Sequence, residues 1–265
     1  MCADSADQIK ELPKLLEIDC GNSLAKWRVW SSAGIGLQGV HGYTANFAAV
    51  FDVLSKAGIP LSGCRVVSVA QKTVNQQLEH AWRRYSDRPI AFAKVSSAVE
   101  GVQCGYADTL QLGVDRWLAV LAVSKLTRAP SIVLDAGTAL TIDLLDSDKH
   151  HLGGYILPGV DLLLSALSEK TAIPGERIPV PGDLQGITPG RDTRSAIGNA
   201  IGMVFHSLLT KPLADLGGRA DVFVTGGHAE IACRYMSNSV CVPDLVMDGL
   251  QWALPSETLI SDFVV

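Results

Sequence analysis

The sequence predicts an α/β protein of two related lobes, and three observations carry that expectation. Strand-like runs alternate with helical patterns along the chain, one strand–turn–strand pattern occurs twice, and the composition suits a buried core. Of 265 residues, 48% are hydrophobic and 18% charged, enough apolar surface to offset the conformational entropy of folding. A chain of this length accommodates two small lobes. They are expected over residues 15–112 and 113–265, after an N-terminal extension of residues 1–14.

Residues 15–19 and 24–30 read as two strands joined by Cys20-Gly21-Asn22-Ser23, whose Gly and Asn suit a tight hairpin. Residues 36–41 add a third strand. Helical spacing of apolar residues over 46–56 and 74–85 brackets a buried strand at 66–70. After a polar, glycine-bearing loop over 96–111, residues 113–126 read as a helix packed through Trp117, Leu118, Leu121 and Ala122. A meander over 132–135, 140–145 and 151–156 precedes helices at 160–167 and 194–209. Residues 174–189 form a proline-rich connection between them. The apolar strand 221–225 ends in Gly226-Gly227, and a last helix is expected near 245–252.

Several function classes drop out. A net charge of -5 argues against a broad nucleic-acid surface, which needs clustered Lys and Arg. Residues 1–14 carry Asp4, Asp7 and Glu11 and lack the pattern of a secretory signal. The most apolar helix-like run, residues 117–123, is far too short for a membrane span. Six scattered cysteines with no C-x-x-C pair fit neither a disulfide framework nor a zinc ribbon. The expectation is a cytoplasmic protein with reduced thiols and no membrane or nucleic-acid partner.

Ile18-Asp19-Cys20-Gly21-Asn22-Ser23-Leu24 and Leu134-Asp135-Ala136-Gly137-Thr138-Ala139-Leu140 share one pattern, offset by 116 residues from Asp19 to Asp135. Two such units imply two similar lobes facing each other across a central cleft. In a turn of this kind Gly lets backbone N–H groups approach phosphate oxygens, Asn or Thr adds a side-chain donor, and Asp supplies oxygen for a nucleotide-bound Mg²⁺. A single Asp-x-Gly hairpin is usually only a hairpin; the pairing makes it informative. A second constellation is Gly105-Tyr106 followed by Leu112-Gly113-Val114-Asp115-Arg116 at a helix start. Asp115 there is either a cap or a general base, and Arg116 either a solvated group or a holder of an anionic substrate.

Together these motifs, with D-C-G-N-S-L-A-K-W, L-G-V-D-R-W, D-A-G-T-A-L-T-I-D, L-G-G-Y-I-L-P-G and T-G-G-H-A-E, make the chain resemble the type III pantothenate kinases of the actin, sugar kinase and Hsp70 superfamily, over residues 15–250. The resemblance implies duplicated actin-like, ribonuclease H-like lobes with mixed sheets. It implies ATP contacts from Asp19, Cys20, Gly21, Asn22, Ser23, Leu24, Ala25, Lys26 and Thr138. Pantothenate contacts are implied for Tyr106, Gly113, Val114, Asp115 and Arg116, with Asp115 as general base. Asp135 would help hold a monovalent cation, K⁺ or NH₄⁺, and Thr193 would reach pantothenate across a homodimer; read without the resemblance, Thr193 is equally a helix cap before Arg194. Ser23 stands where the family usually has Thr, and Thr109 where many members have Pro. A kinase of another hydroxy acid or sugar, or a non-catalytic regulator that keeps the fold, are the alternatives.

Three signals are set aside. Gly34-Ile35-Gly36-Leu37-Gln38-Gly39 fits G-x-G-x-x-G, but no helix pattern follows it. His150-His151 reads as a solvated hairpin tip. Asp143 lies on a strand whose facing the sequence leaves open.

Overall fold

The computed structural model describes residues 13–43, 46–173, 187–236 and 238–261; the expected extension over 1–14 lies almost wholly outside the described residues. The chain divides into two compact units, residues 1–93 with 254–265 and residues 94–253. The partition thus falls earlier than the lobe boundary expected at 112/113, and the last residues return to the first unit.

In the first unit β1 (Leu15–Cys20) turns into β2 (Leu24–Ser31) and β3 (Gly34–Gly42), followed by α1 (Ala48–Lys56), β4 (Gly63–Ser68), α2 (Lys72–Tyr85) and β5 (Ile90–Phe92). The strand order is β3-β2-β1-β4-β5, with β1–β2 and β2–β3 antiparallel and β1–β4 and β4–β5 parallel. Period-two alternation sends Leu16, Ile18, Cys20, Ala25, Trp27 and Val66 into a core with Phe51, Leu54, Leu78 and Trp82 of the two helices. The glycine-rich 34–39 segment is part of β3, an edge strand, and no helix opens from it.

The second unit begins with the short hairpin β6 (Ala98–Val99) and β7 (Val102–Gln103), a 3₁₀ turn (Thr109–Gln111) and α3 (Val114–Leu126). Then come β8 (Ser131–Ala136), β9 (Ala139–Leu145), β10 (His151–Pro158), α4 (Val160–Lys170), α5 (Thr193–Ser207), α6 (Thr210–Asp215), β11 (Asp221–Thr225), α7 (Ala229–Tyr235), β12 (Ser239–Cys241) and α8 (Leu245–Ala253). A final helix, α9 (Ser256–Ser261), belongs to the first unit. The second large sheet runs β10-β9-β8-β11-β12, with the same mixture of antiparallel and parallel pairs as the first. The duplication expected from two matched turns is therefore a duplication of whole sheets.

One face of the second sheet packs Leu134, Ile142 and Val224 against Val160, Ile201, Phe205 and Ala232 of the helices. The other face is covered by α3, whose residues 116–124 are all buried because α8 packs on it in turn. That packing requires glycine at 249, where a Cβ would collide with Leu118 O. No helix among the described residues is long and apolar enough to cross a membrane.

Candidate functional site

Each matched turn sits where an antiparallel pair reverses. In the first, Gly21 N–H donates to Leu24 O (3.1 Å) and Tyr43 Oη–H donates to Gly21 O (2.7 Å). Asn22, Ser23 and Leu24 are exposed, while Asp19 and Lys26, opposite one another in register, lie half-buried on the face opposite α1 and α2. Cys20 and Ala25 point into the core instead, so any ligand contact of theirs is through main chain; burial pushes the Cys20 thiol up to about 12.

In the second turn Gly137 N–H donates to Ala139 O (3.1 Å), and Thr138 is exposed. This turn is one residue shorter, so the repeat keeps step through the strand and glycine and slips by one afterwards: Ile18 faces Trp27, but Leu134 faces Ile142. In both turns the glycine's own N–H closes the turn. The groups presented outward are the side chains of Asn22, Ser23 and Thr138.

Two further segments converge on the second turn. Gly159 N–H donates to Thr138 O (3.0 Å), bringing the start of α4 against it, and His228 N–H donates to Ala136 O (2.9 Å). A helix start beside an exposed Thr favours an anion. Gly226, at φ +94°, lies so close to Asp135 that a Cβ would strike its Oδ1; only glycine serves there.

The densest polar cluster is inside the second unit. Gly113 caps α3 without a side chain, and Asp115 stands in the first turn, its Oδ1 accepting Arg116 N–H at 2.8 Å. Burial raises the Asp115 carboxyl pKa, against the lowering effects of that hydrogen bond and of the Arg116 charge. Arg116 is buried, and its Nε and Nη2 donate to Asp143 Oδ2 (2.8 Å) and Oδ1 (2.7 Å) while Nη1 donates to Tyr106 Oη (3.0 Å). Burial pulls the guanidinium pKa down, but Asp143 and Tyr106 outweigh it and hold it above its usual value.

Asp143, only 1% exposed, also meets His151 Nε2 at 2.8 Å, and the His151 ring stacks on Tyr106 with centroids 6.0 Å apart. The Tyr106 loop is brought there by a β-bridge between Gln103 and His150 and by Gln103 N–H donating to Lys149 O (2.9 Å). Asp108 secures the segment that follows, its Oδ1 capping the 3₁₀ turn at Leu110 N–H (3.0 Å), so Thr109 needs no proline ring to stay in place.

Several expectations are corrected. Arg116 is neither solvated nor unaccompanied: three of its five N–H groups are engaged by Asp143 and Tyr106. Asp143, left without a role by the sequence, is its partner. His151 is fully buried and not at a hairpin tip; His150 is there, its N–H held by Asp146 Oδ1 at 2.8 Å. Thr193 is not the helix cap either. Asp192 caps α5 in a reciprocal box with Ser195, leaving Thr193 exposed in the first turn. Asp143 and His151 were missed because their partners come from other elements; the one signal was a charge inside the apolar run Thr141-Ile142-Asp143-Leu144-Leu145.

The family model for type III pantothenate kinase matches residues 15–211. The type III pantothenate kinase of Ectopseudomonas mendocina is 36% identical over 246 residues, covering 91% of this chain and 99% of that protein. That of Pseudomonas paraeruginosa is 34% identical over 249 residues, covering 92% and 100%. Among solved structures, a protein of Campylobacter jejuni named for the Baf family of transcriptional activators superposes with a TM-score of 0.59 at 17% identity, covering 93% of this chain and 98% of that one. A Sinorhizobium meliloti protein named as a 2-dehydro-3-deoxygalactonokinase gives 0.58 at 13% identity, covering 95% and 100%. At these identities the two structures speak for the fold alone.

Proposed function

This chain belongs to the type III pantothenate kinase family, and from that premise we propose how its residues transfer the ATP γ-phosphoryl group to the primary hydroxyl of pantothenate, a step in making coenzyme A. Asp115 is the general base. The observation that carries this role is a desolvated carboxyl of raised pKa at the start of α3, next to the Arg116–Tyr106 pair. A base whose proton affinity is raised by burial takes a hydroxyl proton more readily than a solvated carboxylate does.

Arg116 and Tyr106 bind the acceptor, with Asp143 holding the guanidinium plane so that its remaining N–H groups face the pantothenate carboxylate. Gly113 and Val114 line the approach. The ATP contacts are assigned to Asp19–Lys26 and to Thr138, with Asn22, Ser23 and Thr138 donating to phosphate oxygens, and Cys20 and Ala25 contributing main chain only. The half-buried Asp19 carboxylate fits a divalent ion travelling with ATP, which would neutralise phosphate charge when bound. Asp135, its Oδ1 against the Gly226 backbone, is assigned to a monovalent cation such as K⁺. The protein is further assigned as a cytoplasmic homodimer in which Thr193 reaches the partner's pantothenate. In support, Thr193 is exposed and α5 also exposes Met203 and Val204.

Asp115→Asn keeps the shape and removes the base. Its kcat should fall by about 10²–10⁴-fold, with the KM for ATP within about twofold of the parent. Pantothenate-dependent ADP release, run with and without K⁺, measures both; parent-level turnover in the variant would end the assignment of the base.

A further inference from the structure

The acceptor cluster contains a residue that the proposed roles leave unused. His151 starts β10, its side chain is 0% exposed, and it is enclosed by groups of the same site. Its Nε2 lies 2.8 Å from Asp143 Oδ1, the oxygen that also accepts Arg116 Nη2 at 2.7 Å. Its ring lies nearly parallel to Tyr106, at an interplanar angle of 10°, and meets the Trp117 ring edgewise at 6.4 Å. The main chain on the Tyr106 side is pressed against it as well, since a Cβ on Gly105 would collide with His151 O.

The tautomer follows from the partners. Asp143 is bound by a guanidinium at both oxygens, so it is ionised and accepts; His151 Nε2 therefore carries the proton and donates. Nδ1 is buried without a hydrogen-bond partner among the described residues. An unsatisfied buried nitrogen costs stability. Phenylalanine would stack on Tyr106 without that cost, so what histidine adds at this position is the Nε2–H directed at Asp143.

We infer that His151 is a positioning residue of the acceptor site: its Nε2–H fixes the Asp143 carboxylate, and through it the plane of Arg116, while its ring backs Tyr106. Without the donor, Asp143 retains only the Arg116 contacts and turns about its own side-chain bond with the guanidinium. The two groups assigned to the acceptor then lose their common alignment. The effect is on acceptor binding and orientation, with the nucleotide turns untouched.

This inference rests on the assignment of pantothenate to Arg116 and Tyr106, and the test separates the two. His151→Phe keeps the ring and removes the donor; it should raise the KM for pantothenate about tenfold, the scale of one hydrogen bond to a charged group, and leave the KM for ATP unchanged. His151→Gln, whose amide N–H reaches the Nε2 position, should restore most of the loss, whereas the shorter His151→Asn should not. Equal pantothenate KM values in His151→Phe and the parent overturn the inference, as does an equal rise in both KM values. Should the Phe variant fail to fold, the Gln and Asn pair decides, and identical behaviour of the two overturns it. Arg116→Met is the control: if it raises the pantothenate KM while the His151 variants do not, the acceptor assignment stands and only the role of His151 falls. An unchanged pantothenate KM in Arg116→Met removes both.

Discussion

At the scale of the residue, the proposal that Asp115 is the base sets activity against stability. Its carboxyl pKa is raised in the folded state because burial disfavours the ionised form. A raised folded pKa means that the native state binds the proton more tightly than the unfolded chain does. The native state is thus favoured below the unfolded carboxyl pKa of about 3.9, and that advantage is lost as pH rises through the higher folded value. At neutral pH the ionised side chain is a net cost. Asp115→Asn, which can still accept the Arg116 N–H, should therefore melt at a higher temperature than the parent at pH 7, with the difference vanishing in acid. Calorimetry across pH checks it, and a lower melting temperature at pH 7 contradicts it. Asp115 and Arg116 were legible because their spacing after Gly113 is a local pattern. Asp143 and His151 were not, because they join that cluster through a meeting of β9, β10 and α3 that no local window contains.

At the scale of the element, the first sheet holds a row of charge across three strands. Glu17 on β1 faces Arg28 on β2 and Arg65 on β4 in register, and all three are buried. Arg28 Nε donates to Glu17 Oε2 at 2.6 Å, Arg65 Nη2 donates to Glu17 Oε1, and the Arg65 guanidinium lies over the Trp30 ring at 4.5 Å. Burial raises the Glu17 pKa despite two cationic neighbours. Removing the carboxylate leaves two buried cations facing each other, so Glu17→Ala should cost about 3–5 kcal/mol in denaturant unfolding; a loss under about 1 kcal/mol would show that water reaches the row. The strands themselves were readable from their apolar runs, as was α3 from Trp117, Leu118 and Leu121. The three-residue strands β5 and β12 were not, since segments that short are defined by the neighbour they pair with and carry no periodicity. The one-residue slip between the two turns was hidden for a related reason: register is a property of the pair.

At the scale of the whole molecule, the twofold repeat of sheet order was legible from the two turns, while the partition of the chain was not. The assignment of Thr193 to a neighbouring subunit makes its own prediction here. Asp115→Asn and Thr193→Ala each lack one half of a composite site, so mixing the two variants and allowing subunit exchange should restore one intact site per mixed dimer. Pantothenate-dependent ADP release should then rise above that of either variant alone; no rise on mixing, with mixed dimers verified, contradicts the assignment. The return of residues 254–265 to the first unit has a separate meaning. Arg65 Nη1 donates to Leu254 O at 3.1 Å, and the Leu259 side chain lies beside Gly63. The second unit, continuous in sequence, contains all of its own elements, whereas the first is completed only by a segment that follows the whole of the second. Until the segment beginning at Leu254 docks, the Arg65 side of the first sheet is bare, and holding that surface apart from other chains becomes a task for chaperones rather than for the fold.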